Sequence, residues 1–118
     1  SYRAKAEAVR MAEVYRKEFA IAECPSNIDS PTVLAAQAAN ELLDISGIKA
    51  SFVLTVYEGK IYMSARSIDE VNVQIIAEKL GGGGHINSAG AQFDHTNMEE
   101  AIKALKETID RMIEEGDI

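Results

Sequence analysis

The sequence predicts a single α/β domain in which helices pack on one mixed β-sheet of about four strands. Segments typical of strands and of helices alternate along the chain, which is the pattern of a sheet layered with helices. Two strand-like runs, residues 50–57 and 60–66, are separated only by Glu58-Gly59, a link typical of an antiparallel hairpin. The 118 residues are 47% hydrophobic and 26% charged, which suffices for one core. We therefore expect residues 1–118 to form one domain.

The N-terminal part predicts a linker helix followed by a strand. Across residues 2–18, apolar residues such as Ala8 and Met11 recur at spacings of three and four, which is typical of an amphipathic helix. The apolar face is mostly alanine, so residues 1–18 should form a linker helix that lies against a neighbouring element. The sequence leaves open whether this helix also supports a homodimer. Residues 19–24 predict a short strand that Pro25 ends.

The middle of the chain predicts a polar loop, a helix and the hairpin. Residues 26–30 are polar, and Ser30-Pro31 is a typical helix start, with a capping hydroxyl and a proline where its missing N–H costs nothing. This helix should end near Gly47. In the second hairpin strand, Ser64 and Arg66 share one face, because alternate residues of a strand face the same way.

The C-terminal part predicts two further helices with a strand between them. Residues 67–70 have the form of a capping box, so a helix should begin immediately after Arg66 and end at Gly81. Two elements should then complete the fold, a strand over residues 90–93 and a last helix capped by Thr96 or Asn97.

A glycine run from Gly81 to Gly84, followed by His85, is the most unusual feature of the chain. It holds half of the eight glycines, and each ordered glycine costs roughly 0.5–1 kcal/mol relative to alanine. Two uses justify that cost: dihedral angles open only to glycine, or bare N–H groups that an anion can approach. A flexible linker is the alternative, although the apolar segments on both sides of the run disfavour it.

Arg66 is the second candidate for binding chemistry. It ends a strand between Ser64 and Ser67, where a forked guanidinium can bind a phosphate or a carboxylate. The alternative is a surface arginine paired with Asp69 or Glu70. Because the chain returns to the sheet after the glycine run, we expect Arg66 and His85 to meet at one sheet edge, with the anion held by loop amides or by a short helix starting near His85.

Other kinds of site find less support in the sequence. The net charge of −7, from 12 basic and 19 acidic residues, argues against a protein that grips long nucleic acid by many phosphate contacts. Two histidines and one cysteine, with no close ligand set, disfavour a metal site. The single Cys24 fits a reducing compartment such as the cytoplasm. Tyr57 and Tyr62 could stack on a base, although tyrosines on a sheet usually only pack.

The motifs together resemble a known family. The run Ser64-Ala-Arg-Ser67, followed by Glu70 to Gln74 and by the glycine motif up to His85, is similar to the DHHA1 domain of DHH phosphoesterases, most of all to the branch that hydrolyses cyclic di-AMP. The resemblance implies that Arg66 and the loop of Gly82, Gly83, Gly84 and His85 hold phosphate and nucleotide, with Ser64 and Ser67 in support. It implies no metal ligand or cofactor in this chain.

The resemblance also implies what lies outside this chain. In the family, a preceding DHH domain supplies the ligands of two manganese ions and the hydrolytic water, so this chain alone should be inactive. The substrate would be cyclic di-AMP, although the Ala-Gly ending of the Ile-Asn-Ser-Ala-Gly run after His85 is closer to relatives that cleave short oligonucleotides and pAp. A non-catalytic RNA-binding module is the rival. No apolar run approaches a membrane span, so membrane contact is not expected from this chain, although the parent could be anchored with this domain in the cytoplasm.

Overall fold

A computed structural model describes residues 2–25 and 30–118, and the strands in these residues form one six-stranded sheet. In chain order the elements are α1 (Tyr2–Arg10), β1 (Glu13–Tyr15), β2 (Phe19–Glu23), α2 (Pro31–Leu42), β3 (Ala50–Tyr57), β4 (Lys60–Ser67), α3 (Val73–Lys79), β5 (Gly83–His85), β6 (Ser88–Phe93) and α4 (Met98–Glu114). The polar loop predicted around residues 26–29 lies outside the described residues.

The sheet has the order β1-β2-β3-β4-β6-β5. Strands β2 and β3 pair in parallel, and every other neighbouring pair is antiparallel. The predicted mixed α/β sheet is therefore confirmed. The predicted number of about four strands is too low, because the three-residue strands β1 and β5 at the two edges were assigned to a helix and to a loop.

The two faces of the sheet carry different helix layers. On one face, α3 and α4 pack against large side chains and bury residues such as Phe52 and Leu105 completely. On the other face, α1 and α2 form a thinner layer of small residues, including Ala38 and Ala39 against Val53. Every strand residue buried in this second cluster belongs to β2 or β3. The second helix layer therefore lies mainly over β2 and β3, reaches β4 through α2, and packs least against the β6-β5 end of this face.

The predicted linker helix over residues 1–18 is wrong beyond Arg10. The chain leaves α1 there and forms β1, which pairs antiparallel with β2. Arg16 and Lys17 take left-handed backbone conformations, with φ of 54° and 71°, and these reverse the chain between the two strands. The three-and-four spacing of Tyr15 suited a helix, but its hydroxyl donates to Asp110 of α4 at 2.8 Å and so fixes it in a strand. Pairing with β2 and the contact with Asp110, 95 residues away in sequence, both favour the strand.

The start and end of α2 differ from the sequence prediction. Ser30 precedes the helix in a left-handed conformation with φ of 52°, and its side chain makes no capping hydrogen bond. Pro31 occupies the first turn, as predicted. The helix ends at Leu42 rather than near Gly47, and the following residues form turns.

The helix predicted to begin immediately after Arg66 begins at Val73. Its N-cap is Asn72, whose side chain accepts a hydrogen bond from the backbone N–H of Ile75 at 3.3 Å. The capping-box serine, Ser67, instead belongs to the end of β4 and donates its hydroxyl proton to the carbonyl of Val71 at 2.6 Å. The sequence motif was present, but the hairpin extended through it.

The hairpin and the last helix agree with the sequence. Glu58 and Gly59 both have positive φ, 51° and 78°, as the tight turn between β3 and β4 requires. Asn97, rather than Thr96, caps α4 by accepting from the N–H of Glu100 at 2.8 Å. None of the helices in residues 2–25 and 30–118 combines the length and the apolar character that crossing a bilayer would demand.

Replacing Tyr15 by Phe is expected to lower the free energy of unfolding by about 1 kcal/mol at pH 7, because the partly exposed Asp110 loses a hydroxyl donor. The hydrogen bond to Asp110 raises the pKa of Tyr15 above its ordinary value. The stabilisation is therefore complete below the ordinary tyrosine pKa of about 10 and is lost as the pH rises through the raised pKa. Urea denaturation at pH 7 and at about pH 11 measures both effects.

The matched control is Tyr2→Phe, since Tyr2 is 84% exposed and this change should leave the stability unaltered. A stability difference for Tyr15→Phe that stays constant into the alkaline range would contradict the prediction.

Candidate functional site

The register of three strands brings Arg66 and His85 into one row. Arg66 of β4 lies opposite Ser88 of β6, and Ser88 lies opposite His85 of β5. Directly opposite residues in antiparallel strands present their side chains on one face. Because neighbouring strands lie about 4.8 Å apart, the backbones of Arg66 and His85 are roughly 10 Å apart with Ser88 between them. The predicted meeting of Arg66 and His85 is therefore a feature of the fold.

The row belongs to a surface that we call the open face. It consists of the residues of β4, β6 and β5 that face the α2 side of the sheet and that no helix buries: Tyr62, Ser64, Arg66, Ser88, Gly90, Gln92, Gly83 and His85. Ser88, Gln92 and His85 are exposed, and the other five are half-buried. A small ligand can therefore reach the exposed residues of β6 and β5 from solvent.

Arg66 is a partly buried cation without a counter-ion in the part of the chain that the structure describes. Burial lowers the pKa of its guanidinium, which nevertheless stays charged at neutral pH. Nη1 donates to the carbonyl of Ala65 at 2.8 Å, and none of the ion pairs among described residues includes Arg66. Glu70, an alternative partner from the sequence, lies 3.4 Å from Lys49 instead. Most of the guanidinium donors remain free to bind an anion.

The glycine run is an edge strand rather than a loop. Residues 83–85 pair with β6, and residues 86–87 form the turn between the two strands, so the short helix considered near His85 does not form. A Cβ atom on Gly82 would overlap the carbonyl of Gly90, and one on Gly84, where φ is 145°, would lie 2.5 Å from Cα of Ala89. A Cβ on Gly83 would meet nothing within 4 Å. Close approach to β6 thus explains two of the glycines and leaves Gly83 facing open space.

The two serines predicted as supporting residues lie on opposite faces of β4. Ser64 is half-buried on the open face, opposite Gly90. Ser67 is 5% exposed and lies on the face covered by α3 and α4. Its hydroxyl accepts from Asn87 Nδ2 at 2.9 Å, which ties the β5–β6 turn to the end of β4. Ser67 is therefore not brought to the open face, but it holds the turn beside His85.

Sequence reasoning missed Ser88, Gly90 and Gln92 as members of the face. Their positions follow only from the pairing of β6 with β4, and the predicted strand began two residues late, at Gly90. Asn87 also gave no sequence signal, because its contact with Ser67 depends on the same register. Within residues 2–25 and 30–118, no group of three or more His, Cys, Asp or Glu side chains is arranged to hold a metal ion.

The DHHA1 domain matches residues 17–114, from the turn between β1 and β2 to the last residue of α4. The chain belongs to the DHHA1 domain family. The resemblance carried by the glycine motif and by the residues around Arg66 is confirmed at the level of the family.

Several curated relatives are similar to this DHHA1 domain. It is 44% identical over 103 residues to the cyclic-di-AMP phosphodiesterase PdeA of Listeria monocytogenes, a match that covers 86% of this chain and 16% of that protein. It is 41% identical over 119 residues to the cyclic-di-AMP phosphodiesterase GdpP of Bacillus subtilis, a match that covers 98% of this chain and 18% of that protein. A shorter match of 65 residues, 35% identical, is to the bifunctional oligoribonuclease and PAP phosphatase NrnA of Thermus thermophilus. It covers 55% of this chain and 20% of that protein. The chain thus spans about a fifth or less of each of these proteins.

A solved structure shows the same fold. The crystal structure of an exopolyphosphatase-related protein from Bacteroides fragilis matches with a TM-score of 0.83 at 22% sequence identity. The match covers 94% of this chain and 34% of that chain. The DHHA1 fold, with helices on one mixed sheet, is therefore confirmed independently of the sequence motif.

Replacing Gly84 by Ala is expected to loosen β5 from β6, because the new Cβ would overlap Ala89 and because φ of 145° disfavours a side chain. We expect a cost of about 1–3 kcal/mol, seen as faster hydrogen exchange at the backbone amides of residues 83–85 and 88–93. The control is Gly83→Ala, which has room for its methyl group and should leave exchange unchanged. Equal exchange rates in the two variants would contradict the packing argument.

Proposed function

We propose that this DHHA1 domain is the substrate-binding half of a metal-dependent phosphodiesterase whose substrate is cyclic di-AMP. The observation that carries the proposal is the row of Arg66, Ser88 and His85 on the open face, with a partly buried guanidinium that lacks a counter-ion among the described residues. The relatives named cyclic-di-AMP phosphodiesterases, at 44% and 41% identity, support the choice of nucleotide.

The chemistry of the row supports phosphate binding. The planar guanidinium of Arg66 presents paired donors that match two phosphate oxygens. His85 and Ser88 add a ring N–H and a hydroxyl from the neighbouring strands. Along the exposed edge of β5, Gly83 has no side chain to keep an anion away from the backbone. The three strands together supply donors on several sides of one phosphate.

The bond-breaking chemistry is assigned to residues outside this chain. The described residues offer no set of metal ligands, so they do not fit the two manganese ions expected in this enzyme family. We propose that a preceding DHH domain holds these ions, which is consistent with the chain spanning only 16% and 18% of the two phosphodiesterases. This chain would bind and orient the nucleotide. A cytoplasmic location belongs to the same proposal, since the single cysteine, Cys24, is free and buried.

Hydrolysis of short oligonucleotides or pAp is the second candidate function. The match to NrnA of Thermus thermophilus and the Ala89-Gly90 pair after the glycine motif favour it. Both candidates place a phosphate at the same row, so they differ only in which nucleotide binds more tightly. A module that reads long RNA fits less well, because the net charge of −7 repels a polyanion.

Arg66→Ala is expected to weaken the binding of cyclic di-AMP by roughly 10- to 100-fold, because charge-assisted hydrogen bonds are lost. His85→Ala should weaken it by roughly 5- to 10-fold, as expected for one hydrogen bond. Calorimetric titration of the 118-residue chain with cyclic di-AMP, pAp and a diadenylate measures the affinities and ranks the candidate substrates. The matched controls are Arg3→Ala and His95→Ala, two exposed residues outside the open face.

Two outcomes of this titration would overturn the proposal. If neither Arg66→Ala nor His85→Ala changes any affinity, the glycine strand has another role, such as allowing movement between domains. If long RNA binds more tightly than every small nucleotide and with a steep salt dependence, the domain is an RNA-binding module.

The division of labour has its own test. The purified chain with manganese should not hydrolyse cyclic di-AMP, pAp or a diadenylate, because it supplies no set of metal ligands among its described residues. Chromatographic separation of the nucleotides after a long incubation measures this. If hydrolysis activity co-purifies with the chain and Arg66→Ala abolishes it, the catalytic groups lie within these 118 residues.

A further inference from the structure

Two tyrosines lie at the far end of the open face from the Arg66 row. Tyr62 is on β4, four residues before Arg66 and on the same face, which places their backbones roughly 13 Å apart. Tyr57, the last residue of β3, faces the same side of the sheet. The two rings are in edge-to-face contact, with centroids 6.1 Å apart and an interplanar angle of 62°. Tyr57 is 41% exposed, and Tyr62 is half-buried.

These tyrosines do not belong to either hydrophobic core. Neither Tyr57 nor Tyr62 is among the residues buried in the two clusters or among the partly buried residues packed against them. Tyr15, by contrast, packs against the larger cluster and is fixed by Asp110. Core packing therefore does not account for an aromatic pair at the edge of the open face.

The open face between the tyrosines and the arginine carries only small side chains. Tyr62 and Gln92 form one row across β4 and β6, the next row is Ser64, Gly90 and Gly83, and the third is Arg66, Ser88 and His85. Successive rows are about 7 Å apart, because residues on one face are two positions apart along a strand. The middle row holds two glycines and a serine, so no bulky side chain separates the aromatic row from the anion-binding row.

We propose that Tyr62, supported edge-on by Tyr57, is the platform on which a nucleobase of the substrate stacks while a phosphate of the same ligand lies at Arg66 and His85. Base stacking on an aromatic ring tolerates any base, so the platform contributes affinity rather than a choice among bases. The sugar would cross the bare row of Ser64, Gly90 and Gly83. This inference rests on the proposed function, since it assumes that the phosphate lies at Arg66.

The test compares a ligand that has a base with one that lacks it. The 118-residue chain, carrying isotope-labelled tyrosine rings, is titrated with cyclic di-AMP and with ribose 5-phosphate. Calorimetry measures the affinities, and NMR follows the signals of the tyrosine rings. The chain has four tyrosines and no tryptophan, so the four ring signals can be assigned from single variants. Stacking should shift the ring signals of Tyr62 and Tyr57 upfield with cyclic di-AMP only, and should leave those of Tyr2 and Tyr15 in place.

Variants of Tyr62 separate stacking from packing. Tyr62→Ala and Tyr62→Leu should lower the affinity for cyclic di-AMP by roughly 5- to 100-fold. Tyr62→Phe keeps the ring, so its affinity should stay within about threefold of that of the unaltered chain. Tyr62→Leu preserves bulk, so it remains informative if Tyr62→Ala does not fold. The binding of ribose 5-phosphate should be the same in all of them. Tyr2→Ala, an exposed tyrosine on α1, is the matched control.

The outcomes distinguish this inference from the proposed function. If Arg66→Ala weakens the binding of cyclic di-AMP but Tyr62→Leu does not, and the ring signals stay in place, Tyr62 is not a stacking platform. The proposed phosphate site at Arg66 would then still hold. If the Tyr62 variants weaken the binding of both ligands equally, Tyr62 has a structural role and is again not a stacking platform. If the unaltered chain binds no nucleotide, both proposals are overturned.

Discussion

The close approach of the glycine strand to β6 is the constraint on which the site depends. Side chains at residues 82 and 84 would overlap the backbone of β6, so only glycines let β5 pair at this distance. That pairing sets His85 opposite Ser88, and β6 in turn sets Ser88 opposite Arg66. A displacement by one residue would turn His85 away from the open face, because alternate residues of a strand face opposite sides.

A small polar cluster fixes the same register from the opposite side of the sheet. Ser67 donates to the carbonyl of Val71 and accepts from Asn87, which ties the end of β4 to the segment before α3 and to the β5–β6 turn. The backbone N–H of Val73 also donates to the carbonyl of Ile86 in that turn, at 2.9 Å. These bonds lie under the site rather than in it. Through these bonds Ser67 positions the β5–β6 turn that carries His85 to the open face.

The sequence predicted the fold class, the hairpin and the candidate residues better than it predicted the edges of the sheet. Glu58-Gly59 encodes its turn locally, and the sustained apolar repeat of α4 also needs no distant partner. By contrast, β1 is held by pairing with β2 and by the contact between Tyr15 and Asp110, and the start of α3 depends on a β4 that runs through Ser67. Members of the open face on β6 could not be found from the sequence either, because they follow from strand pairing. Local patterns fail where a contact distant in sequence determines the structure.

Beneath the open face lies the layer of α3 and α4, and on its own side of the sheet α2 contacts β4. Below β4 and β6, the side chains of Met63 and Ala65 are buried against the core formed by α3 and α4, whereas Ser64 and Arg66 above them contribute nothing to that core. Changes to the upper side chains therefore leave the packing below them intact. Such a division lets the residues of the open face change during evolution while the scaffold is retained, which is one physical route by which domains with only 22% sequence identity keep a common fold.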